Sequence, residues 1–122
     1  MKLGLNIMST IALYEDNDLM RGLILEWLSE AGYQAGAPVG AGEPADLVIA
    51  SVSMPRDTGA ARVAQILARH PGVPVIALSA QFRLGLSDKG PTAESLGVRQ
   101  VIAKPLSRDE LLKAVRAIIG AP

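Results

Sequence analysis

Cysteine is absent from this chain of 122 residues, which removes disulfides, thiolate nucleophiles and Cys-based zinc sites together. That absence is compatible with a reducing cytosol, and a cytoplasmic location is expected. Aromatic residues are scarce at 3%, against 49% apolar residues in all. The core must therefore be built from Ala, Val, Ile and Leu, which suit a parallel sheet covered by helices on both faces. Net charge is missing too, because twelve basic and twelve acidic side chains cancel and the pI lies near 6.6. Nothing supplies the positive field that a phosphate backbone demands, so direct contact with nucleic acid is not expected. No apolar run approaches the roughly 20 residues that cross a bilayer, and no membrane partner is expected. The opening MKLGLNIMST is broken by Gly4 and Asn6 and is expected to lead into the first strand, not to act as a signal peptide.

What remains is an ordered alternation. The length suits one domain, expected over residues 1–122 with a core from about residue 9 to 120. Ile11 to Tyr14 forms a short apolar run that stops at Glu15-Asp16. Leu19, Leu23, Ile24, Trp27, Leu28 and Ala31 then share a helical face, with Asn17 or Asp18 as cap and Gly32 as stop. Tyr33 to Ala35 is expected as a short edge strand, and the Gly-, Ala- and Pro-rich stretch from Gly36 to Ala45 as a loop. Leu47 to Ala50 is a buried strand ending in Ser51 and Ser53. A helix follows, facing inward with Ala60, Val63, Ala64 and Leu67 and stopping at His70-Pro71-Gly72. Val75 to Leu78 is the next strand, ending at Ser79. Gln81 to Gly97 is interrupted by Gly85, Gly90 and Pro91, leaving room for one short helix from Thr92 to Leu96. Val101 to Ala103 is another strand, followed by Lys104-Pro105. The last helix is the best specified, with a Ser107/Glu110 capping box, a stripe of Leu111, Leu112, Val115, Ile118 and Ile119, and Gly120 at its end.

Strands alternating with helices imply a parallel sheet with right-handed crossovers. In such a sheet functional groups gather at the carboxyl ends of the strands. Here those ends carry Glu15 and Asp16, then Ser51 and Ser53, then Ser79, then Lys104. Neighbouring carboxylates suit Mg²⁺, a hard ion that prefers oxygen ligands. An ammonium and hydroxyls suit phosphoryl oxygens.

From about Ile11 to Ile119 the chain resembles a CheY-like response-regulator receiver domain. The motifs that carry the likeness are YEDNDLMR, DLVIASVSMPRDTG with Met54-Pro55 and Gly59, PVIALSA with Ser79, and Gly97 followed by VIAKPLSRDELLKAV. Each fragment is weak alone; together they stand in the family's order. The resemblance implies an α/β flavodoxin-like three-layer sandwich with a five-stranded parallel sheet in the order 2-1-3-4-5. It implies a role in bacterial-type two-component signalling, as a phosphorelay module and not an enzyme. Its partner would be a histidine kinase, a phosphotransferase or another regulator, and pairing into a homodimer through the last helix is open by analogy.

The departures from the family pattern decide the expected function. The phosphoacceptor aspartate falls on Ser51, whose hydroxyl has a much higher pKa and would give an ester, not an acyl phosphate. Glu15, Asp16, Ser79 and Lys104 would then surround a degenerate phosphorylation site. Metal binding would be weak Mg²⁺ at Asp16 and Glu15 if any, with no other cofactor. The family's aromatic switch falls on Val101, the crossover before the third strand is short, and the fourth helix is irregular. Signalling by contact with a partner follows, through a surface including Val101, Phe82 and Leu84.

Blander readings stand beside these. Glu15 and Asp16 also suit a helix N-terminus through its dipole. Lys104 also suits an ion pair with them. Ser51 is expected as a polar plug hydrogen-bonded to Lys104 or Asp16. Trp27 is expected to be partly buried, and His70 to end its helix in solvent. Phe82 and Leu84 either fold under their own loop or dock a partner. Two other functions remain open: phosphotransfer onto a non-standard carboxylate such as Asp16 or Asp57, and a small flavodoxin-like ligand binder. The latter is opposed by the lack of a phosphate-cradling loop after the first strand.

Overall fold

Period-two alternation of side chains sorts the strands of the computed structural model into two faces of different character. The structure describes residues 10–36, 45–51, 56–79, 97–103 and 106–120, apart from the side chains of 56–60 and 103. The elements run β1 (Thr10–Tyr14), α1 (Asp18–Glu30), β2 (Gln34–Gly36), β3 (Leu47–Ser51), α2 (Arg56–Arg69), β4 (Val75–Ser79), β5 (Gln100–Ala103) and α3 (Arg108–Ile119). All pairings are parallel, and the sheet order is β2-β1-β3-β4-β5. The β2–β3 crossover is short: residues 37–46 join the strands, fewer than the dozen or so that a helical connection needs. Residues 37–44 of it, and the expected irregular helix before Gly97, lie outside the described residues.

On one face Ile11, Leu13, Leu47, Ile49, Ile76, Leu78 and Ile102 pack with Ile24 and Leu28 of α1 and Leu111, Leu112 and Val115 of α3. On the other, smaller residues (Ala12, Val48, Ala50, Val75, Ala77 and Val101) meet Val63 and Ile66 of α2. Burial of each large aliphatic side chain contributes roughly 1.5–3 kcal/mol, so the central strands carry much of the stability. Because helices cover both faces, β3 and β4 are apolar at successive positions instead of alternating with polar ones.

Local signals act where expected at the helix ends. The Asn17 side chain caps α1 by accepting from the Met20 N–H at 2.9 Å, and Gly32 (φ 98°) turns the chain out of it. At α3 the Ser107 and Glu110 side chains bond each other's backbone N–H groups at 3.1 and 3.0 Å, completing the capping box. Gly97 (φ 77°) precedes β5, and a Cβ there would meet Leu67 Cδ1 at 3.1 Å.

Four expectations are corrected by packing. Leu19 is 87% exposed and Leu23 is exposed as well; α1 instead buries Ile24 and Leu28, with Met20, Leu25, Trp27 and Ala31 alongside. Successive helix residues lie about 100° apart, so a rotation of one residue exchanges the Leu19 edge for the Met20 edge. On α2, Ala64 is exposed and Ile66 is buried beside Val63. The second strand begins at Gln34, one residue late, since Tyr33 is buried and donates its hydroxyl to the Gly120 carbonyl at 2.6 Å. His70 is not in solvent: it is only 3% exposed.

Candidate functional site

Register sets the height of each strand end. Tyr14 lies opposite Ala50, so Glu15, just past β1, and Ser51, the last residue of β3, emerge side by side. Ser51 lies opposite Leu78 and Ser79 opposite Ala103. The sheet's carboxyl edge therefore gathers Glu15, Ser51 and Ser79 in one place.

Glu15 is only 7% exposed, and a buried carboxylate needs partners. Ser51 Oγ donates to Glu15 Oε1 at 2.7 Å. The Asn17 N–H donates to Oε2 at 3.1 Å, and Arg21 Nη1 donates to the Glu15 carbonyl at 3.0 Å. The partner of Ser51 seen here is Glu15; of the two expected, Asp16 is not bonded to it and Lys104 lies outside the described residues. Alternation continues past β1, turning Glu15 inward and leaving Asp16 outward with its side chain 92% exposed. Asp16 lies 3.7 Å from Arg62 Nη2 of α2.

Ser79 is buried at the end of β4. Val101, expected on an interaction surface, is 3% exposed and packs among the small residues on the α2 face. It belongs to the core. Ser53, Phe82, Leu84, Lys104 and Pro105 lie outside the described residues, as does the side chain of Asp57.

Two features near this edge were not foreseen. Tyr14, next to Glu15, places its hydroxyl 2.6 Å from His70 Nε2, with the rings edge-to-face at 5.7 Å and 79°. Burial, reinforced by Arg69, lowers the His70 pKa, so the imidazole favours its neutral form and the tautomer decides which group donates. Arg62 is the other, its Nε buried without an acceptor. Neither has a periodic or motif signal; His70 pairs across 56 positions. An open groove of about 310 Å³, lined by residues that include Gly72, Pro74, Gly97 and Arg99, lies at the opposite edge, where β4 and β5 begin.

The model of the response regulator receiver domain matches residues 11–116. The chain belongs to this family. It is a receiver domain of the two-component signalling type. The transcriptional regulatory protein PdtaR of Mycobacterium tuberculosis is 28% identical, covering 90% of this chain and 56% of that protein. The chain thus spans about half the length of the curated relatives it matches. Among solved structures it resembles the receiver domain of the sensor histidine kinase PA1611 from Pseudomonas aeruginosa, which has a magnesium ion coordinated in its active-site cleft. That likeness has a TM-score of 0.71 at 26% identity, over 93% of this chain and 99% of that one. The chemotaxis regulator CheY4 of Vibrio cholerae gives 0.73 at 20% identity, over 93% and 100%, and speaks for the fold alone.

The donor set of this receiver does not match a tight magnesium site. Among the described residues no three Asp, Glu, His or Cys side chains are grouped to hold a metal. At this edge Ser51 offers a neutral hydroxyl already directed at Glu15, and hard divalent ions prefer carboxylates. A serine hydroxyl cannot form a mixed anhydride with phosphate; its phosphorylation would yield an ester. No described helix is long and apolar enough to cross a membrane.

Proposed function

We propose that this receiver acts as a pseudo-receiver, signalling by contact with a partner protein and not through an aspartyl phosphate. The observation that carries this reading is the 2.7 Å hydrogen bond from Ser51 Oγ to Glu15 Oε1. Two carboxylates in that position would repel and call for a cation between them. A hydroxyl and a carboxylate attract, so the site is satisfied without metal or phosphate. Mg²⁺ binding is weak, through Asp16 and Glu15, and Ser79 and Lys104 complete a degenerate site with no phosphoryl group to hold. The partner is another signalling protein of the two-component type: a histidine kinase, a phosphotransferase or a regulator, with a second copy of this chain as a further option. Phe82 and Leu84 belong to the contact surface in this reading. Incubation with a small acyl or amido phosphate and Mg²⁺ tests it. No acid- or base-labile adduct is expected, and a labelled protein would end the proposal.

A second reading is a phosphotransfer-competent receiver using another carboxylate. The likeness to the PA1611 receiver, with its magnesium-bearing cleft, favours it, since the family's sheet order is kept among the described residues. The residues of this chain weigh the other way: Glu15 is engaged by Ser51 and Asn17, and Asp16 points to solvent. Should label appear, mass spectrometry of the modified peptide identifies Glu15, Asp16 or Asp57 as the acceptor.

A further inference from the structure

We infer that Arg62 is a tethered counter-cation for Asp16, occupying electrostatically the place a divalent metal takes beside an acidic pair. This rests on the reading of Ser51–Glu15 as a metal-independent pair and extends it to the second acid. Both oxygens of Glu15 are engaged, Oε1 by Ser51 and Oε2 by the Asn17 N–H, so a metal entering there must displace or share those bonds. Asp16 is the remaining exposed carboxylate, and the guanidinium of Arg62 stands 3.7 Å from it. Arg62 reaches Asp16 from a different element, α2, while Asp16 lies in the turn between β1 and α1.

The Arg62 side chain is 37% exposed, but its Nε is buried without an acceptor, so the root of the guanidinium lies within the protein while Nη2 stands at the surface toward Asp16. Any Mg²⁺ or Mn²⁺ approaching Asp16 must also approach this positive charge. Because Asp16 is exposed, water and salt screen the repulsion, and the effect on metal affinity is modest, up to about fivefold.

Titration of the full chain with Mn²⁺ alone, following the free-ion signal by electron paramagnetic resonance, tests the inference. Arg62→Gln should bind Mn²⁺ about two- to fivefold more tightly than wild type. Arg62→Lys, which keeps the charge, should stay close to wild type, and Asp16→Asn added to Arg62→Gln should abolish the gain. Equal affinity in wild type and Arg62→Gln, a gain in Arg62→Lys as large as in Arg62→Gln, or no measurable binding in any variant would overturn it. Circular dichroism of each variant establishes that it is folded. The outcome is separable from the phosphorylation trial: label on the wild-type protein removes the pseudo-receiver reading, whereas an affinity indifferent to charge at residue 62 removes only the counter-cation.

Discussion

Ser51 Oγ and Glu15 Oε1 lie 2.7 Å apart across β3 and the end of β1, so the hydroxyl directs its proton at the one acid of the pair that is turned inward. A hydrogen bond to a charged group contributes about 1.5–3 kcal/mol. The strand register alone brings the two residues level, and the side chain at residue 51 decides whether they attract or repel.

Ser51→Asp reverses that sign. It places a second carboxylate against buried Glu15, and repulsion between the two lowers stability in the absence of metal. Millimolar Mg²⁺ should restore it, raising Tm by several degrees, at about 4 °C per kcal/mol for a domain of this size. Wild type should respond by less than a degree or so. Differential scanning calorimetry with and without Mg²⁺ checks this. Equal shifts in both proteins would mean that the hydroxyl is not what weakens metal binding. Phosphoryl labelling of Ser51→Asp should be weak at best, because Val101 stays a small core residue.

The rotation of α1 gives a second prediction. Leu28 is fully buried and Leu19 almost wholly exposed. Leu28→Ala should cost about 2–5 kcal/mol in urea unfolding. Leu19→Ser should stay within about 0.5 kcal/mol of wild type. Comparable losses in both would place the helix in the orientation that the 19/23/27 spacing suggests.

That contrast shows where the sequence was legible. Element type and order follow from short-range signals: the apolar run of Leu47 to Ala50, the Ser107/Glu110 box and the stop at Gly32 each act within a turn or a strand. The gathering of Glu15, Ser51 and Ser79 followed from topology, because parallel strands carry their ends to one edge. Which side chain bonds which did not follow. On α1 both the 19/23 edge and the 20/24 edge are apolar, and only packing against the sheet separates them. Ser51 has several polar neighbours in prospect, and the inward turn of Glu15 selects one. His70 beside Pro71-Gly72 carries the local marks of a solvent-exposed helix end; its pairing is with Tyr14, a residue of β1 distant in sequence.

Tyr33 and Gly120 make a third test. The phenol hydroxyl donates to the Gly120 carbonyl at 2.6 Å, tying the β2 entry to the end of α3, and burial raises its pKa despite the opposing influence of Arg116. Tyr33→Phe keeps the ring in the core and removes the bond. A loss of about 0.5–1.5 kcal/mol is expected, with faster amide exchange confined to the last turn of α3. Exchange that rose equally across α1 and the sheet would show that the ring, not the hydroxyl, holds this corner.

The pair Tyr14–His70 predicts the pH dependence of stability near neutrality. The His70 pKa is lowered from its ordinary 6.5, by burial first and Arg69 second. As pH falls through about 6.5 the unfolded chain takes up a proton before the folded one does, so protons favour unfolding. The contribution of neutral His70 is complete above that value and is lost as pH falls toward the lower folded pKa. Urea midpoints should therefore drop between about pH 7 and pH 5, above the range where ordinary carboxylates titrate. His70→Gln should flatten that drop. Because His70 is the sole histidine, its imidazole resonances report the folded pKa directly by NMR. A value at or above 6.5, or a midpoint that rises on acidification in this window, would contradict the buried neutral ring bonded to Tyr14.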